Sequence, residues 1–122
     1  SLFQIDEKKR AYNEMFRALD LYSDIYGQWR TYFELWRFNF LDDNLDEAKK
    51  FSKKLINLQP EYPQTYIANL ALEDNKNKGI ALKRKLLELQ PNFTPAMIKN
   101  FHTWIRDDQA TKIIDALRFH LG

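Results

Sequence analysis

Lys54-Leu55-Ile56-Asn57-Leu58-Gln59-Pro60-Glu61-Tyr62 returns thirty-one residues later as Lys85-Leu86-Leu87-Glu88-Leu89-Gln90-Pro91-Asn92-Phe93. Self-similarity at this period is the signature of stacked helical hairpins. Each copy reads as the end of an amphipathic helix, a proline that cannot continue it and an aromatic ring that packs the connection. A unit of this size cannot bury its apolar face alone, so the copies are expected to stack and to leave an open surface where a partner can lie.

Punctuation at 23–27, 41–44, 59–63, 75–79, 90–95 and 106–108 divides the 122 residues into about seven helices. Apolar spacing of three and four runs through Ala11, Met15, Ala18, Leu19 and Tyr22, and again through Trp29, Tyr32, Phe33, Trp36 and Phe40. Asn44 with Glu47 predicts an Asn-x-x-Glu cap, while Pro63 and Thr94-Pro95 each open a further helix. Asn75-Lys76-Asn77-Lys78 shows no cap partner and reads as a mobile connection. No segment alternates with period two for the length of a strand, so the expected fold is all-α.

These residues resemble the tetratricopeptide repeats, helix-turn-helix units with a small residue on the second helix and a closing proline. With Pro60 as that proline, Ala48 takes the small position, Leu55 and Ile56 the packing face, and Tyr66 the aromatic start of the next unit. With Pro91 in the same role, Leu86 and Leu87 face the core, Met97, Phe101 and Trp104 follow, and Gly79 is the small residue. A worn earlier copy places Ala11 and Ala18 on its second helix, Ser23 at the stop and Trp29 after it. Spacings of 37 and 31 between stops depart from the family's thirty-four. The resemblance implies one domain over 1–122, a right-handed α-solenoid with units near 6–26, 27–62, 63–93 and 94–105 and a capping helix over 107–120.

Trp104 to Arg118 also looks like the closing helix that follows repeats in bacterial signalling proteins, cyclase-type or winged-helix activators. That likeness implies the protein-binding module of a bacterial regulator, cut from a longer protein. The alternative is that Ile113, Ile114 and Leu117 supply the cap any terminal solenoid helix needs.

Chemistry is sparse. With no cysteine, thiolate metal sites and disulfides are excluded, although the compartment stays open between cytoplasm and periplasm. His102 and His120 lie eighteen residues apart without the i, i+3 or i, i+4 partner of a zinc helix. The three glycines form no phosphate loop. Asp42-Asp43, Asp46-Glu47 and Asp107-Asp108 read as carboxylates at helix starts, where they favour the dipole and cap backbone donors. The expectation is therefore no enzyme, no cofactor and no metal. A net charge of +2 argues against direct nucleic-acid binding, and no run is long and apolar enough for a membrane span.

The second helix carries the functional expectation. Its core stripe spans Trp29 to Phe40, whereas Phe38 falls on the opposite, polar side with Glu34 and Arg37. In the repeat frame, Arg30, Glu34, Arg37 and Phe38 line a concave groove together with Gln64, Ile67 and Asp74 from the fourth helix and Ile98 and His102 from the sixth. This surface is expected to hold a protein or peptide, with Phe38 as anchor. The alternatives are packing of Phe38 and Ile67 against a neighbouring helix, and a structural or homo-oligomerising segment whose groove is filled by its own chain or a second copy.

Overall fold

The computed structural model describes residues 2–101 and 107–122, with side chains from Glu7 to Asn100 and from Gln109 onward. Among the described residues there are seven α-helices and no strand: α1 Leu2–Leu21, α2 Ile25–Leu41, α3 Leu45–Leu58, α4 Pro63–Leu72, α5 Lys76–Leu89, α6 Ile98–Phe101 and α7 Asp107–Leu121. A 3₁₀ turn over Pro95–Met97 leads into α6. The chain forms two compact units, Ser1–Pro60 and Glu61–Gly122.

In the first unit α2 packs against both α1 and α3. Trp29, Phe33, Trp36 and Phe40 form a row of rings along α2, each 5.3 to 5.4 Å from the next, and all four are buried. Ala48 and Leu55 of α3 are wholly buried. The buried sector of α2 also takes in Thr31 and Asn39, polar residues outside the apolar stripe. Thr31 is tolerated because its hydroxyl donates to the Gly27 carbonyl, one turn back, at 2.9 Å. By contrast, α1 buries none of its described side chains fully; Ala11 and Tyr22, read from spacing as part of its apolar stripe, are exposed.

In the second unit α7 is the central element and packs on α4, α5, α6 and the 3₁₀ turn. Its buried residues are Ala110, Ile113, Ile114 and Leu117, facing a core that includes Thr65, Ala68, Leu70, Leu86 and Phe93. Gly79 is the small residue that matters here. A Cβ at that position would overlap the His120 ring, so the absence of one lets the end of α7 lie against α5. The imidazole Nε2 is 2.6 Å from the Glu73 carbonyl and must carry the proton, since a carbonyl only accepts.

The duplicated stop is duplicated in backbone geometry. Gln59 ends α3 at φ −140°, ψ 76°, and Gln90 ends α5 at φ −142°, ψ 81°; each amide donates to the carbonyl of the leucine four residues earlier, Leu55 or Leu86. Those two leucines are wholly buried, whereas Leu58 and Leu89, nearer the prolines, are only half-buried.

Three local expectations are corrected. Asn44 does not close a capping box: its side chain donates to Asn39 Oδ1 at 3.2 Å, leaving Glu47 to pair with Lys50 at 3.0 Å. Asn75 is no mobile connection but the N-cap of α5, its side-chain Oδ1 accepting from the amides of Asn77 and Lys78 at 2.9 and 3.1 Å. Asp42 ends α2 rather than starting a helix, and Asp43 after it sits at φ 60°, a left-handed conformation aspartate tolerates. The helix expected over 94–105 is described to Phe101; the rest lies outside the described residues.

Candidate binding clefts of the N-terminal unit

Because α1 rests on its neighbours through half-buried rings, open clefts remain beside it. Tyr12 meets Phe38 of α2 with ring centroids 5.3 Å apart, and Phe16 meets Phe51 of α3 at 6.0 Å. Tyr12 and Phe16, one turn apart, also pack edge to face at 5.0 Å. These contacts make an aromatic seam, with Phe16 still 40% exposed.

On one side of the seam lies a cleft of about 720 Å³ floored by Tyr12, Phe16 and Phe38. Its rim carries Asn13, Asn44 and Glu47, and the Lys8–Asp42 pair at 3.0 Å ties α1 to the end of α2 across it. Both members of that pair are exposed, so its contribution to stability is small. Asn39 stiffens the wall. It donates to the Leu35 carbonyl at 2.7 Å, lies 3.4 Å from the Tyr12 hydroxyl and accepts from Asn44, which spares a buried amide the cost of an unmet hydrogen bond.

A second cleft of about 470 Å³ lies between α1 and α3, with Phe16, Tyr32 and Phe51 in its floor and Lys50, Lys53 and Lys54 along one edge. A third, between α1 and the start of α2, holds Tyr22, Tyr26, Arg30 and Glu34. There the Asp24 carboxylate caps α2 by accepting from the Gly27 amide at 2.9 Å, and the Tyr22 ring lies over Gly27 so closely that a Cβ would stand 2.8 Å from it.

The residues expected to share a groove divide between the two units. Phe38, half-buried, lines the cleft of about 720 Å³, while Arg30 and Glu34 line the one at the start of α2. Arg37 is held by Glu34 at 2.6 Å. In the second unit Ile67 and Ile98 are 3% and 2% exposed and serve as core; Gln64 is half-buried and Asp74 exposed. His102 lies outside the described residues. Tyr12, Phe16 and Asn39 were not anticipated as lining residues. Their signal was the i, i+4 pair of rings on α1, beside the stripe that the alanines and Met15 suggest.

Burial raises the Tyr66 hydroxyl above its ordinary value of 10.0, and the charges of Glu61 and Glu88 add to the effect. Among the described residues no group of three His, Asp or Glu side chains could hold a metal ion, and no helix is long and apolar enough to cross a membrane. No protein-family model, curated protein or solved structure matches this chain.

Proposed function

We propose that this chain is a peptide- or protein-binding module of tetratricopeptide-like helical repeats, and that the Tyr12–Phe16–Phe38 cleft is its binding site. The observation that carries this reading is the cleft itself, an open space of about 720 Å³ with an aromatic floor and amide groups on its rim. Rings supply apolar area at little entropic cost, and the Asn13 and Asn44 amides can pair with the backbone of an extended segment. The matching geometry of Gln59 and Gln90 supports the repeat character. A place within a bacterial regulator rests only on the likeness of Trp104 to Arg118 to the closing helices of such proteins.

The test is selection of binding peptides from a displayed library against the whole chain, followed by titration of the selected sequences. Phe38→Ala is expected to weaken them by about 2 kcal/mol, roughly thirtyfold, with the helical signal unchanged. Ile80→Ser, at an exposed position of α5, should leave them unaffected. Selected peptides that bind the Phe38 variant at full strength would exclude this cleft.

A further inference from the structure

The cleft between α1 and α3 differs from its neighbour in charge. In the Phe38 cleft the two lysines, Lys8 and Lys9, are balanced by two carboxylates, Asp42 and Glu47, with Lys8 paired to Asp42. Along the α3 edge, Lys50 is matched by Glu47, but Lys53 and Lys54 are exposed and enter no ion pair among the described residues. Residues 1–60 hold equal numbers of acidic and basic side chains, so these two charges are a local concentration within a neutral unit. They stand beside an apolar floor in which Phe51 lies 6.0 Å from both Phe16 and Tyr32.

We infer that this second cleft selects an acidic peptide segment, seating one aromatic or branched aliphatic side chain on the floor formed by Phe16, Tyr32 and Phe51 while Lys53 and Lys54 hold flanking carboxylates. A space of about 470 Å³ accommodates such a side chain with its backbone but not a folded domain. Lysine stems lie along apolar surface and extend their ammonium groups to the rim, where a peptide carboxylate can reach them. A nucleic acid fits less well. Two unmatched cations on one wall give little counterion release, too little to hold a phosphate chain. The inference rests on the N-terminal unit being a peptide binder but assigns the partner's charge to a different wall.

The experiment compares three fluorescein-labelled peptides of one length against the whole chain by anisotropy: a leucine or phenylalanine flanked by glutamates, by glutamines, or by lysines. The glutamate peptide should bind best and weaken with added salt. Lys53→Glu with Lys54→Glu should reduce its affinity by about tenfold or more and transfer preference to the lysine peptide. Should that variant lose helicity, Lys53→Gln with Lys54→Gln gives the same comparison without charge reversal. Ile80→Ser, at an exposed position of α5 that lines no described cleft, should leave the glutamate peptide within about twofold. Loss of binding in Phe38→Ala with none in the lysine variants overturns the inference and keeps the first cleft as the site; loss in the lysine variants with none in Phe38→Ala supports the α3 edge for this peptide, and the library-selected peptides test the first cleft separately. Equal affinity of all three peptides, or displacement by a single-stranded oligonucleotide at matched charge, also overturns it.

Discussion

A methyl group at position 79 would overlap the His120 imidazole, which is anchored to the Glu73 carbonyl. The same end of α7 is held by Lys76, whose ammonium donates to the Phe119 carbonyl at 2.5 Å and lies 3.9 Å over the Phe119 ring. A cation at a helix C-terminus is also favoured by the helix dipole. Gly79→Ala therefore sets two effects against each other. Alanine should gain about 0.5 to 1 kcal/mol of helix propensity, but displacing the ring forfeits its packing and hydrogen bond at a cost of roughly 1 to 3 kcal/mol. The expected outcome in urea denaturation is net destabilisation that changes sign in a His120→Ala background. Destabilisation of equal size in both backgrounds would show that the ring is not the obstacle. Tyr66 gives a second prediction at this scale. Its folded pKa is raised, so the unfolded chain releases the proton first; its contribution is fully present below about pH 10 and is lost as pH rises through the folded value. Stability should fall on the alkaline side, and Tyr66→Phe should flatten that limb.

Among the helices, the repeated string specifies more than an ending. The amide of each glutamine bonds back to a wholly buried leucine, so Leu55 and Leu86 fix where α3 and α5 stop relative to their unit's core. Truncating either to alanine should cost about 2 to 5 kcal/mol. Leu58→Ala and Leu89→Ala should cost markedly less, because half-buried side chains have less apolar area to lose. Equal losses at all four positions in thermal or chemical unfolding would disprove the assignment. Stops of this kind were legible because proline and the 3.6-residue period act locally. Capping was less so. Asn44 carries the sequence mark of a capping box, yet its side chain meets the buried Asn39 amide, a tertiary demand no local pattern announces. Asn75 shows the opposite error: its partners are its own next residues, and the polar composition of 75–78 masked an ordinary N-cap.

At the level of the molecule, the all-α fold was legible, and so was the standing of Phe38 outside the core stripe of α2. The cleft was not, because it depends on where α1 sets Tyr12 and Phe16 against α2 and α3, and amphipathic spacing fixes a face but not a register between helices. The same unit also exposes Leu21, Tyr22, Ile25 and Tyr26 where α1 turns into α2, with exposures from 49% to 82%. Large apolar side chains scattered singly over a surface need no explanation, but four within six residues form a patch that a second copy could cover. Binding in the clefts and pairing through this corner make different demands. If the clefts are the working surface, Leu21→Ser with Ile25→Ser should leave both the sedimenting mass and the affinity for selected peptides unchanged, because neither residue lines a described cleft. A wild-type dimer that this double substitution converts to monomer, with peptide affinity lost at the same time, would instead favour a self-assembling segment. Sedimentation velocity at the concentrations used for peptide titration separates the two, and the expected result is a monomer in both forms.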